Sequence, residues 1–270
     1  IKSMLIFFAN TIAVTLYCDS DIVMLGAMSN TYYVGLYSVA VKIYTVIKNI
    51  GAAIIVVTIP RLSNYYHDDL VKWKKLIIQI FEIFTLLLPP LVTGIFVLAK
   101  PIIMFLGGNE YLQAVSTLRI LSISLLVALY SGILTNCINI TQNREKINLV
   151  ATICAATLNI LLNIFMIPMM KQNGAAITTL IAEITVVIVC CILNKDIVRI
   201  IFSESYILRI LVQAIMGCVF IVIAHKISII LFSNIIVETI ITIVSSILIY
   251  SLILLLCKNK YVHICSMKNR

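Results

Sequence analysis

The sequence predicts an all-α, polytopic membrane protein with about eight transmembrane helices. Three observations carry that expectation. The 270 residues are 62% hydrophobic and 11% charged, with a mean hydropathy of +1.12, whereas a soluble domain carries about 25% charged residues. The apolar runs are about 20 residues long, the length of a helix that crosses the hydrocarbon core; a membrane barrel would show alternating segments of about 10 residues. Lipid leaves no other choice, because every backbone amide must be satisfied inside the protein. The third observation is that the positive charges fall between the runs and unequally on their two sides.

The first helix is expected over 3–27 and the second over 35–59. A charged segment, 61–75, follows. The third helix spans 76–99 and carries Pro89-Pro90 at mid-membrane; two missing amide donors predict a kink there. Residues 100–111 are too few and too broken to cross, so they read as a short interfacial helix with a turn at Gly107-Gly108. The fourth helix is expected over 114–140, with a tight polar loop at 141–146. The fifth covers 148–170 and the sixth 174–193. A charged connector, 194–206, leads to the seventh, 207–232, and the eighth, 235–256. A basic tail closes the chain at 257–270. Ile1 stands where a start methionine would, and 1–16 lacks a signal-peptide cleavage site, so the N-terminal part of a longer protein is expected to precede this chain.

Charge then fixes a topology. With the first residue cytoplasmic, the inner segments hold Lys2, Arg61, Lys72, Lys74, Lys75, Arg144, Lys146, Lys195, Arg199, Arg209, Lys258, Lys260, Lys268 and Arg270. The outer segments hold Lys100, Lys171 and Lys226, with Arg119 just inside the fourth helix. That is the positive-inside asymmetry, and one helix more or fewer would scramble it. Both ends are therefore expected in the cytoplasm. The net charge of +9 does not indicate nucleic acid, since no basic, aromatic-laced domain gathers it. The eight cysteines lie mostly in apolar runs without metal-ligand spacing. No nucleophile–base pair, phosphate loop or metal signature is present. The sequence therefore makes no case for an enzyme, a cofactor or a metal.

Ionisable groups inside apolar runs cost about 2.5–3.5 kcal/mol each on insertion scales, which singles out Asp19, Asp21, Lys42 and Lys48 in the stretch 19–62. At about 100° per residue, Ser38, Lys42, Thr45 and Asn49 fall in one narrow sector of the second helix, with Lys48 off it. The fourth helix repeats the pattern with Thr117, Ser124, Ser131 and Thr135, the fifth with Thr152, Asn159 and Asn163, and the sixth with Thr179 and Glu183 one turn apart. These four stripes are expected to line a polar cavity. The plainer reading is that Ser, Thr and Asn join helices by hydrogen bonds. For Lys42 the choices are a cavity or ion-pair role, or snorkelling to the interface. Asp21 and Lys42 both fall about 10 Å deep by helix rise, so they are expected to be able to pair. Asp19 faces elsewhere, and which of the two acids serves a cavity is open. Glu82 and Glu238 are expected near membrane edges; His67, His225 and His263 have no ligand partner at useful spacing.

Asp21-x-x-Met-Leu-Gly26, Val34-Gly-Leu-Tyr-Ser-Val-Ala-x-Lys42 and Pro60-Arg61-Leu62 resemble the start of the C-terminal lobe of polysaccharide flippases. Pro101-Ile-Ile-Met-Phe-Leu-Gly-Gly-Asn-Glu-Tyr111 and Gly174-Ala-Ala-Ile-Thr-Thr-Leu-Ile-Ala-Glu183 continue the resemblance. The family is the O-antigen and exopolysaccharide branch of the multidrug/oligosaccharidyl-lipid/polysaccharide exporter superfamily. The resemblance covers nearly the whole chain and weakens in the last two helices.

It implies a two-lobed exporter fold. Residues 1–194 would form its second six-helix lobe, and 195–270 a cytoplasmic connector, two accessory helices and a basic tail. It implies translocation of undecaprenyl-diphosphate-linked oligosaccharide across a bacterial cytoplasmic membrane by alternating access. The implied partners are that lipid-linked oligosaccharide, membrane lipid, an N-terminal lobe in the same or a separate chain, and glycan-assembly proteins. Lys42, helped by Lys48, would offset the diphosphate. Asp21, Ser38, Thr45, Asn49, Asn159, Asn163 and Glu183 would complete the cavity, and Gly51, Pro89 and Pro90 would bend. A drug–cation antiporter of the same superfamily and a non-transporting, truncated membrane scaffold are the alternatives.

Overall fold

The computed structural model describes residues 8, 12, 20–202, 205–232, 234–257 and 259–261. Most of the expected first membrane helix lies outside them, as do Lys2, Cys18, Asp19, Lys258, His263, Cys265, Lys268 and Arg270. The described residues form helices and turns, with no strand among them. Helix α1 covers 20–28, followed by α2 (Thr31–Asp68), α3 (Leu70–Val97), α4 (Ala99–Gly107) and α5 (Ala114–Gly132). Then come α6 (Glu145–Met170), α7 (Gln172–Leu193), α8 (Lys195–Phe202), α9 (Ser205–Leu231) and α10 (Ile235–Leu256). Among the described residues seven helices are long and apolar enough to cross a membrane, and they match the second to eighth expected spans.

The segment 61–75 departs from expectation. It is an elbow between two long helices. At 38 residues, α2 is about 57 Å long, well beyond a hydrocarbon core of about 30 Å. Asp69 alone separates α2 from α3. Its carboxylate accepts from the amides of Val71 and Lys72, both at 3.1 Å, which caps α3. The hydrogen bond from Lys72 holds the Asp69 carboxyl below the ordinary range. Trp73 is buried and donates from Nε1 to Thr141 Oγ1 at 3.1 Å, so the elbow is fastened to the α5–α6 turn. The connector 194–206 likewise folds mostly into helix, as α8 and the start of α9.

Helix α3 runs uninterrupted through Pro89 and Pro90. Pro90 cannot give the amide bond that the Leu86 carbonyl would receive, and an unmet carbonyl is costly in lipid. The Tyr250 hydroxyl of α10 fills that place at 2.6 Å. Gly217 of α9 lets the ring through, since a Cβ there would come within 2.5 Å of it. Thr93 Oγ1 donates to the Pro89 carbonyl at 2.8 Å.

As expected, α4 is short and ends at Gly108, whose φ of +80° makes the turn. The expected fourth span, 114–140, is present with a change of winding: α5 passes into a π-helix over Ile133–Ile140, a form that concentrates at functional sites. The Asn148 amide donates to the Thr135 carbonyl there at 3.0 Å.

Helices α6 and α7 form the tightest pair. Ala151 and Ala155 of α6 and Ala175, Ala176 and Ala182 of α7 are all fully buried, small residues of the kind that let helices approach closely in lipid. Lys171, at φ +51°, turns the chain between them. A Cβ on Gly174 would run into the Met166 carbonyl. Gly174→Ala is therefore expected to destabilise the protein by about 3 kcal/mol, the upper range for overpacking against atoms that cannot yield, read as a lowered unfolding midpoint in detergent. Helix α5 packs between α2, α3 and α7, while α9 packs on α3 and α10 on α9.

Candidate intramembrane polar site

The inner edge of α2 carries Tyr37, Ala40, Tyr44, Lys48, Gly51 and Ile55, at steps of three and four. That spacing keeps one face toward the rest of the bundle. On α7, Thr179 and Glu183 stand one turn apart. The two helices run side by side and build two polar nodes.

Asp21 is the centre of the first node and is 2% exposed. Its Oδ2 accepts from the Tyr37 hydroxyl at 2.9 Å and from Thr179 Oγ1 at 2.6 Å. Its Oδ1 accepts from Asn163 Nδ2 at 2.6 Å. Asn163 Oδ1 accepts in turn from Thr178 Oγ1 at 2.6 Å. Asn159 lies one turn before Asn163 on α6; its Oδ1 accepts from Asn163 Nδ2 at 3.2 Å and from Ser20 Oγ at 3.4 Å. Among the described residues, the donors on Asp21 are neutral, and no Lys or Arg forms an ion pair with it. A buried carboxylate held by neutral hydroxyl and amide N–H donors can take up a proton, or exchange those donors for a small hard cation.

Glu183, also 2% exposed, is the centre of the second node. Lys48 Nζ lies 2.7 Å from its Oε1. The Tyr44 hydroxyl donates to the same oxygen at 3.3 Å, and Ser131 Oγ donates to Oε2 at 3.1 Å. The Lys48 side chain remains 28% exposed, so the pair links the bundle interior to its surface. Thus α1, α2, α6 and α7 serve the first node, and α2, α5 and α7 the second.

This arrangement corrects two expectations. Asp21 and Lys42 do not pair: Lys42 is exposed on the opposite side of α2 from Tyr44, and Lys48, off the expected stripe, takes the buried acid instead. Nor do the four stripes line one cavity. Thr117, Ser124 and Ser131 of α5, Thr152, Asn159 and Asn163 of α6, and Thr179 and Glu183 of α7 are buried within the bundle. On α2, by contrast, Ser38 is half-buried and Lys42, Thr45 and Asn49 are exposed. The stripe of α2 faces away from the lobe that the other three hold together.

None of the hinge candidates bonds to either node, and Gly51 lies one turn beyond Lys48 on the same face of α2. Gly51 is buried, and a Cβ on it would fall 2.5 Å from Leu129, so close approach of α2 to α5 already accounts for a glycine there. Pro89 and Pro90 sit on α3, with Pro90 against Gly217 of α9. Periodicity missed Tyr37 and Tyr44, which count as apolar in a membrane helix; their seven-residue separation on the face opposite Lys42 was the available signal.

Glu82 was not expected to be buried. It is 2% exposed on α3, and its partners follow the end of α10 at Leu256. Lys260 Nζ lies 2.5 Å from its Oε2, and the Tyr261 hydroxyl donates to the same oxygen. Burial first, and then that carboxylate, push the Tyr261 hydroxyl above its ordinary range. Glu238, three residues into α10, keeps its place near a helix end and lies 3.7 Å from His225 Nδ1. Among the described residues no group of three His, Cys, Asp or Glu side chains gathers to hold a metal.

Comparison with known proteins gives four likenesses. A sequence family described as polysaccharide biosynthesis protein matches residues 3–116. A probable flippase, AglR of Haloferax volcanii, is 29% identical over 169 residues, covering 62% of this chain and 35% of its own length. Two solved structures share the fold. The lipid II flippase MurJ, in an inward closed conformation, matches with a TM-score of 0.70 at 16% identity over 92% of this chain and 51% of that one. A MOP superfamily transporter from Pyrococcus furiosus, described as having a binding pocket of reversed polarity, matches with a TM-score of 0.61 at 16% identity, over 84% and 52%. These relatives are described as flippases or transporters rather than enzymes. The chain spans about a third of the curated relative and half of each solved one.

Proposed function

We propose, from the premise that this multi-pass membrane chain is a relative of the polysaccharide flippases of the MOP superfamily, that it forms one lobe of a transporter for lipid-linked oligosaccharide. The substrate is an undecaprenyl-diphosphate-linked glycan, and the membrane is the cytoplasmic membrane of a bacterium, with both ends of this chain inside. The working partner is a second lobe, in the same or a separate chain, and glycan-assembly proteins deliver and receive the substrate.

The observation that carries this reading is the two-faced α2. Its inner face, with Tyr37, Tyr44 and Lys48, is bonded into the lobe. Its outer face presents Ser38, Lys42, Thr45 and Asn49 away from the lobe, in a helix otherwise rich in exposed Val and Ile. A cation and a row of hydroxyl and amide groups are expensive against lipid and useful against a hydrated diphosphate and sugar. The lipid tail stays in the bilayer while the head passes along this row. The Asp21 node supplies a second element, a protonatable or cation-binding carboxylate beside that path, to which movement of α2 is coupled.

Lys42→Ala in the complete transporter is expected to lower glycan export at least tenfold in complementation of a flippase-null bacterium, at unchanged membrane abundance. Unchanged export would sink the role given to α2's outer face. The other reading, exchange of an organic cation, is favoured by Asp21 and Glu183 and disfavoured by Lys42; a drug-efflux assay on the same strains separates the two.

A further inference from the structure

An apolar hollow of about 360 Å³ lies between α3, α5, α7, α8 and α9. Phe81, Val127, Val187, Val198 and Leu211 line it, and each is half-buried. Thr85 and Tyr130, hydrogen-bonded to each other at 2.9 Å, close it toward the bundle. It is a seam between the six-helix lobe and the accessory pair, separate from both polar nodes and from the outer face of α2.

One helix at its rim is unlike the rest. Helix α8 buries Ile197 and Ile201 and exposes Lys195, Asp196 and Arg199. Val198 and Ile201 form part of the lining. At 100° per residue, Lys195 and Arg199 share the flank next to Val198, while Asp196 turns farther off. Arg144 joins them, because its Nη1 donates to Asn194 Oδ1 at 3.3 Å, immediately before α8. Arg144, Lys195 and Arg199 are all exposed, with Glu145 and Asp196 as the neighbouring acids. An apolar seat below a basic rim, at the charged end of a bundle, matches a lipid with two apolar chains and an anionic head.

We propose that this seam holds one anionic phospholipid, an acyl chain in the hollow and the phosphate among Arg144, Lys195 and Arg199. The lipid fills the space that direct packing leaves between the lobe and α9, and so joins the accessory pair to the lobe through a component of the membrane.

Native mass spectrometry of the purified protein tests this with phosphatidylglycerol and phosphatidylcholine of identical chains. The expected result is one retained lipid per protein, with phosphatidylglycerol preferred. Arg144→Ala, Lys195→Ala and Arg199→Ala should each weaken that preference about fivefold, as expected for one basic residue near an anionic surface, and the triple variant should retain both lipids equally. Val127→Trp, which fills the hollow, should abolish retention of either; its melting temperature reports whether it folds, and the three surface variants keep the question answerable if it does not. Equal retention of the two lipids by the unaltered protein, or a preference unchanged in the triple variant, would overturn the proposal. So would displacement of phosphatidylglycerol by equimolar undecaprenyl phosphate, which would give the seam to the tail of the transported substrate.

Discussion

Lys48→Met is expected to destabilise the protein by about 3 kcal/mol. The variant leaves Glu183, 2% exposed, with Tyr44 and Ser131 as neutral donors and without its cation at 2.7 Å. Removing one partner of a buried pair typically costs about 3–5 kcal/mol, because the stranded charge has lost its water as well as its counter-ion. The lower end applies because the Lys48 side chain is 28% exposed and the site is partly screened. The double variant Lys48→Met/Glu183→Gln is expected to recover most of that loss, since a neutral amide accepts from one of the Tyr44 and Ser131 hydroxyls and donates to the other. Unfolding midpoints of the single and double variants in one detergent measure both. Equal midpoints for all three proteins would mean that the pair contributes nothing to holding α2 on α7.

Asp21→Leu is expected to cost as much or more, by a different route. The carboxylate accepts from Tyr37, Thr179 and Asn163, and a buried donor left without an acceptor costs about 1–3 kcal/mol. Thr179 keeps a bond to the Ala175 carbonyl at 2.9 Å and Asn163 keeps Asn159, so the sum is about 3 kcal/mol rather than three full penalties. Asp21→Asn preserves the shape and one acceptor oxygen and should lose about half as much. The useful comparison is between stability and ion dependence. If Asp21 couples transport to a proton or cation, the Asn variant keeps its fold and loses the dependence of export on that ion. An Asn variant with full ion dependence would exclude Asp21 from coupling.

Helix length and loop charge made the bundle legible, because hydrocarbon thickness and the positive-inside bias act on each segment alone. The same local signals placed Thr179 and Glu183 on one face, and Asn159 with Asn163. They could not say which face turns inward. In water the apolar side of a helix marks the core, but in lipid both sides of α2 are apolar enough to be exposed, so the polar stripe at Lys42 and the tyrosine edge at Tyr37 and Tyr44 were equally good candidates. Partner choice was hidden for another reason. Glu183 finds Lys48 and Glu82 finds Lys260 across long stretches of chain, and no periodicity reports such a distance. The elbow at Asp69 was obscured by its charges, which suggested a loop; a single N-cap residue was enough to begin α3 there.

The bond from Tyr250 to the Leu86 carbonyl sets an order of events in synthesis. The two residues are separated by 164 positions. At about 5–20 residues per second, a ribosome adds α10 roughly 8–33 s after it has finished the proline turn of α3. During that interval α3 sits in the bilayer with a backbone acceptor that its own helix cannot satisfy. Helix α10 is therefore the one that completes α3, which reaches its mature hydrogen bonding only after α10 has emerged.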